Sequence, residues 1–137
     1  MDREMNNNEE THTIAVPTLM VNECSVHDGT VWYRINTSVD GDEGLRLATI
    51  GKDFLEKGHA HYVMIDISHA KQFSLSAQHL WVDFLKNPKI TRTAIYGVSM
   101  LSRVIATLII TASKKENVKM FEHELAAYEW VQGGGVK

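Results

Sequence analysis

Residues 101–115 read LSRVIATLIITASKK, and this stretch has two incompatible readings. Its valine, isoleucine and threonine content favours a strand, because β-branched side chains fit a pleated surface. Leu101, Val104, Ile105, Leu108, Ile109 and Ala112 nevertheless recur at three- and four-residue intervals, which places them on one face of a helix. The periodicity decides for the helix. The flanking runs TRTAIYGVSM (91–100) and VKMF (118–121) then become strands joined by a helical crossover, the connection of a parallel sheet.

The rest of the chain extends that pattern outward. HYVMIDIS (61–68) is apolar on both faces, as expected of a central strand buried between two layers. The helix after it opens near Ser74 to Ser76, buries Leu80, Trp81, Phe84 and Leu85, and stops at Pro88, whose ring cannot continue a helix. Upstream, DGDEGLRLATIGKDFLEKG (40–58) pairs Asp40 with Glu43 at capping-box spacing and sets Leu47, Ala48, Ile50, Gly51, Phe54 and Leu55 at helical spacing before Gly58. Gly44 and Gly51 each cost this helix about 1 kcal/mol relative to alanine, so each is expected to mark a close approach to another backbone. TIAVPTLMVNECSVHDGTVWYRINTS (13–38) carries two extended runs around Asp28-Gly29, a strong hairpin signal. Pro17 makes the start of the first run an edge or lead-in, and Val31, Tyr33 and Ile35 point to the core. EHELAAYEWV (122–131) closes the chain with a helix.

Hairpin, helix, strand, helix, strand, helix, strand, helix is an α/β pattern. It predicts a mixed sheet, antiparallel in its N-terminal hairpin and parallel afterwards, packed with about four helices. The domain is expected over 12–132, between a disordered tail at 1–11 and a flexible tail at 133–137.

Composition narrows the function. A formal net charge of -3 without a basic stripe argues against nucleic acid. The longest apolar run, VIATLII (104–110), falls far short of the ~20 residues that span a bilayer. The polar, acidic start is no secretory signal, so a cytoplasmic protein is expected. One cysteine, Cys24, allows no internal disulfide framework or cysteine-rich zinc site, and beside Glu23 it has no activating cation. His59 and His61 are two imidazoles where a catalytic zinc takes three protein ligands, so no metal or other cofactor is expected. No GxSxG, Walker or GxGxxG pattern is present, and Asp66, inside a strand, reads as a structural hydrogen-bond acceptor. A non-enzyme is expected.

YVMIDIS (62–68), the helix running to NPKI (87–90), TAIYGVS (93–99), SRVIATLI (102–109) and above all VKMFEHELAAYEWV (118–131) together resemble the SpoIIAA-like families of the STAS superfamily, over roughly residues 13–131. The resemblance implies a non-catalytic module that regulates or binds a protein partner. In the anti-sigma-factor antagonists of the superfamily, an Asp-Ser-Ser-Gly loop precedes the helix after the central strand, and phosphorylation of its second serine breaks a partner complex. Laid onto SLSA (74–77), that serine is Ser76. Ser74, Leu75 and Ala77 stand where the family has its acid, first serine and glycine. Some related folds bind lipids or small apolar ligands between sheet and helices. The alternative function is therefore a binding module for a small amphipathic or lipid-like ligand, in an apolar pocket of Trp81, Phe84, Ile105 and Ile109.

Three further site expectations follow from the residues. Ser76 reads first as a helix cap and second as a phosphoacceptor stabilised by the positive helix end. Loops at the carboxyl ends of parallel strands gather ligands; here they hold Ser68, His69, Ser74 and Ser76 after one strand and Ser99, Ser102 and Arg103 after the next. Arg103, unfavourable in a first helical turn, points to an anion nearby. The open hairpin edge, with Trp32, predicts a homodimer.

Overall fold

Asp28 and Gly29 both take positive φ, 54° and 68°, the backbone a two-residue primed turn requires. They join β1 (Glu23–His27) to β2 (Thr30–Arg34) as an antiparallel hairpin. The computed structural model describes residues 21–133; Pro17, the tail expected at 1–11 and all but residue 133 of the tail expected at 133–137 lie outside them. After the hairpin come α1 (Gly41–Glu56), β3 (Tyr62–Asp66), α2 (Leu75–Leu85), β4 (Arg92–Tyr96), α3 (Met100–Ser113), β5 (Val118–Phe121) and α4 (Glu124–Val131). The ambiguous stretch is thus a helix. The sheet runs β1-β2-β3-β4-β5, with every pair after the hairpin parallel.

Strand side chains alternate between two layers. Val31, Tyr33, Val63, Ile65 and Ile95 face a core closed by α1, α2 and α3. Met64, Ala94 and Tyr96 face the other way, under Ala127 and Val131 of α4. Trp32 belongs to this second layer: it stacks between His27, 4.9 Å away, and Tyr128, 5.9 Å away. It is therefore engaged within the molecule rather than offered at the hairpin edge.

Tyr33 joins three elements. Its hydroxyl donates to the carbonyl of Leu47 in α1 at 2.7 Å, and its ring meets Trp81 and Phe84 of α2 edge-on, at 4.8 and 5.6 Å. Helix α1 can sit this low only because residue 51 is glycine. A Cβ there would overlap the Tyr33 hydroxyl and lie 3.1 Å from Phe84. Gly44 plays a milder version of the same part: a Cβ there would lie 3.3 Å from the Leu80 side chain and 3.4 Å from the Ala77 backbone of α2.

The start of α1 departs from the expected reciprocal capping box. Asp40 caps the backbone N–H of Glu43 at 2.9 Å, but the Glu43 carboxylate accepts from Asn22 and Arg46 instead of reaching back. Buried Asn22 in turn accepts the backbone N–H groups of Asn36 and Thr37. These hydrogen bonds, chiefly from Arg46, hold the Glu43 carboxyl below its ordinary range.

Gly51→Ala gains about 1 kcal/mol of helix propensity but overpacks the Tyr33 seat, a cost of about 1–3 kcal/mol, so net destabilisation is expected in urea titration. In a Tyr33→Phe background, which removes the overlapped oxygen, the same substitution should cost clearly less. A stabilised Gly51→Ala variant would contradict this packing.

Candidate functional site

The loops ahead of α1 and α2 are pinned together. Val39 and Phe73 form an isolated parallel bridge: Val39 N–H donates to the Gln72 carbonyl at 2.8 Å, and Ser74 N–H to the Val39 carbonyl at 2.9 Å. The two helices therefore start side by side. Ser74, not Ser76, caps α2, accepting the N–H of Ala77 at 3.1 Å. Ser76 lies in the first turn, exposed, with its Oγ 3.2 Å from that of Ser74. The reason is register: the extended bridge residue Phe73 puts the last non-helical position at 74. A Cβ on Gly41 would fall 2.7 Å from Ser76 Oγ, so the first residue of α1 abuts the Ser76 hydroxyl.

The other polar candidates are committed within their own loops. Asp66 accepts from Ser68 N–H and Oγ–H at 2.9 and 2.6 Å, the structural role read for it. Gly97, at φ 77°, packs on Ser68 so closely that a Cβ would overlap its Oγ. Ser99 and Ser102 form a reciprocal capping box on α3. His69 and Arg103 are exposed, and Arg103 makes no ion pair among the described residues. Ser68 and the Gly97 turn meet; Ser74 meets Ser76, and Ser99 meets Ser102. His59 and His61 are exposed, and no cluster of three metal-ligating side chains occurs among the described residues.

Of the four apolar candidates, Trp81, Ile105 and Ile109 line one recess of about 40 Å³ between α2, α3 and the sheet, with Ile65, Ile95 and Lys71. Phe84 does not line it; it packs edge-on against Tyr33 and Trp81, toward α1. The Trp81 indole N–H is buried without a hydrogen-bond partner among the described residues. Helix α3 is turned from its expected orientation: Ala106, Ile109 and Ser113 face the sheet, whereas Leu101, Val104 and Leu108 are exposed. Small Ala106 and Ser113 let the helix approach closely, a signal present in the sequence but outweighed there by the larger side chains.

Two outcomes check these assignments. Ser74→Ala removes a cap and should cost about 1 kcal/mol, while Ser76→Ala should leave the urea midpoint nearly unchanged; the reverse order would return the cap to Ser76. Burial pushes the Cys24 thiol up to about 11, so at pH 8 it should react with a disulfide reagent roughly a hundredfold more slowly than free cysteine. Because the folded value exceeds the unfolded one, its contribution to stability is complete below the unfolded value and is lost as pH rises toward the folded one. A rate matching free cysteine would contradict the burial.

No protein-family model matches the chain, and no curated protein matches it in sequence. Solved structures share its fold. The anti-sigma factor antagonist SpoIIAA, in its unphosphorylated form, aligns with a TM-score of 0.63 at 14% identity, over 82% of this chain and 99% of SpoIIAA. An uncharacterised Shewanella loihica protein with a SpoIIAA-like fold gives 0.60 at 17% identity, over 81% of this chain and 92% of that one. A candidate anti-sigma factor antagonist of Thermotoga maritima gives 0.63 at 17%, over 81% and 94%. The five-stranded mixed sheet with its four helices is the SpoIIAA-like fold.

Proposed function

We propose that the chain is a non-catalytic regulatory or protein-interaction module of SpoIIAA-like, STAS type, with Ser76 as its phosphoacceptor. The observation that carries this reading is the division of labour at the start of α2: Ser74 caps the helix, which leaves the exposed Ser76 hydroxyl available. A phosphate there is favoured by the positive end of α2 and opposed by Asp40 and Asp42, which flank Gly41 across the gap. Phosphorylation thus alters charge where two helix starts meet, a place suited to making or breaking a partner contact. The likeness in fold to anti-sigma factor antagonists supports the reading. No helix among the described residues is long and apolar enough to cross a membrane, in keeping with a cytoplasmic regulator. Self-association as a homodimer belongs to the same proposal, through the β1 edge.

A second reading, a small amphipathic or lipid-like ligand between sheet and helices, draws support from the apolar recess and the unpartnered Trp81 indole. Ligand sites of this kind enclose roughly 300 Å³ or more, so α2 and α3 would have to part to admit one. The regulatory reading requires no such rearrangement.

Intact-mass analysis of protein isolated from its native cells should reveal phosphate at Ser76 under some growth condition. A partner co-purifying with the wild type should bind Ser76→Glu at least tenfold more weakly. Unmodified serine under every condition, with a partner indifferent to Ser76→Glu, would overturn the switch. Native mass spectrometry showing a retained small ligand in its place would favour the second reading, and light scattering decides the dimer.

A further inference from the structure

Helix α3 exposes an apolar strip that packs against no other element among the described residues. Met100, Leu101, Val104 and Leu108 are 89%, 73%, 59% and 56% exposed, and residues 104–113 contain no charged side chain. At 100° per residue, Leu101 and Leu108 fall on the flank of α3 that carries Ile105, which lines the recess beside α2. The strip therefore runs from solvent into the α2–α3 seam. Leu75, 67% exposed at the start of α2, adds a further apolar group on the neighbouring helix.

The charge around this strip is one-sided. Residues 67–82 and 97–115 hold Lys71, Arg103, Lys114 and Lys115 and no aspartate or glutamate, although acids outnumber bases 17 to 14 in the whole chain. Arg103 lies on the flank of α3 away from the seam, and Lys71 lines the recess, so cations bracket the apolar strip. The one carboxylate on α2, Asp83, lies on its α1 side with Leu80 and Phe84, so a second copy of this face offers them none. The length of the strip, about two and a half turns, and a recess sized for the end of one side chain match an amphipathic helix that seats an anchor residue.

We infer that the α2–α3 face docks an acidic amphipathic helix of a protein partner, with apolar anchors against Leu101, Val104 and Leu108 and carboxylates toward Arg103 and Lys71. The inference rests on the interaction-module reading and specifies its surface.

The test titrates the isotopically labelled full chain with a synthetic amphipathic helical peptide of about five turns, leucine on one face and glutamate on the other, and with its lysine counterpart. Amide shifts should cluster in residues 100–112 and at Lys71 with the glutamate peptide, and the lysine peptide should bind at least tenfold more weakly. Lys71→Glu with Arg103→Glu should reverse that preference. Leu108→Asp, at an exposed position, should abolish binding while leaving the urea midpoint unchanged. Three results overturn the inference: no shift with the glutamate peptide, or equal binding of both peptides; binding only to phosphatidylcholine vesicles containing phosphatidylserine, which assigns the face to a membrane; or a concentration-dependent dimer lost in Leu108→Asp, which assigns it to a second copy. A native partner that binds Leu108→Asp as well as wild type would remove this surface while leaving the regulatory reading intact.

Discussion

The contact between the Tyr33 hydroxyl and the missing side chain of Gly51 sets the geometry of the helical layer. Tyr33 is almost fully buried, so its hydroxyl must find a partner inside; it takes a carbonyl of α1 one turn before Gly51. That bond contributes about 1 kcal/mol, and each edge-on aromatic pair with α2 about as much beyond its buried area. The larger consequence is positional. With α1 lowered onto Tyr33 and α2 packed against the same ring, both helices start beside the Val39–Phe73 bridge. Ser76 meets the first residue of α1 because of that arrangement.

Much of this architecture was legible in the sequence because local signals agreed with one another. Asp28-Gly29 called for a primed turn, and the structure has positive φ at both residues. Of the two helical glycines expected to meet another backbone, Gly44 does so at Ala77, whereas the tighter approach, at Gly51, is to the side chains of Tyr33 and Phe84. Periodicity outweighed β-branching in residues 101–113, since a run of that length satisfies its backbone alone as a helix.

What escaped the sequence was rotation and register. The apolar positions of α3 outnumber those that a single contact face can bury, so periodicity could not tell the inner stripe from the outer. Volume decided: Ala106 and Ser113 fit against the sheet, and Leu101, Val104 and Leu108 were left outside. At α2, two serines within three residues were both suitable caps, and a bridge between loops distant in sequence chose Ser74. Phe84 was grouped with the recess by helical spacing, whereas the Tyr33 ring draws it to the α1 side. Each miss is a tertiary choice between locally equivalent options.

These displaced features all belong to the helical layer of α1, α2 and α3. The freed Ser76 hydroxyl lies at the start of α2, the apolar strip and Arg103 lie on α3, and Lys71 lies in the loop before α2, so the proposed surface draws on the ends and outer faces of these helices rather than on an enclosed cavity. Hydrogen–deuterium exchange of the full chain, alone and with the partner isolated from its native cells, measures this most directly. Protection gained at residues 74–79 and 100–108 is the predicted result; protection confined to α4 and the β1 edge would contradict it.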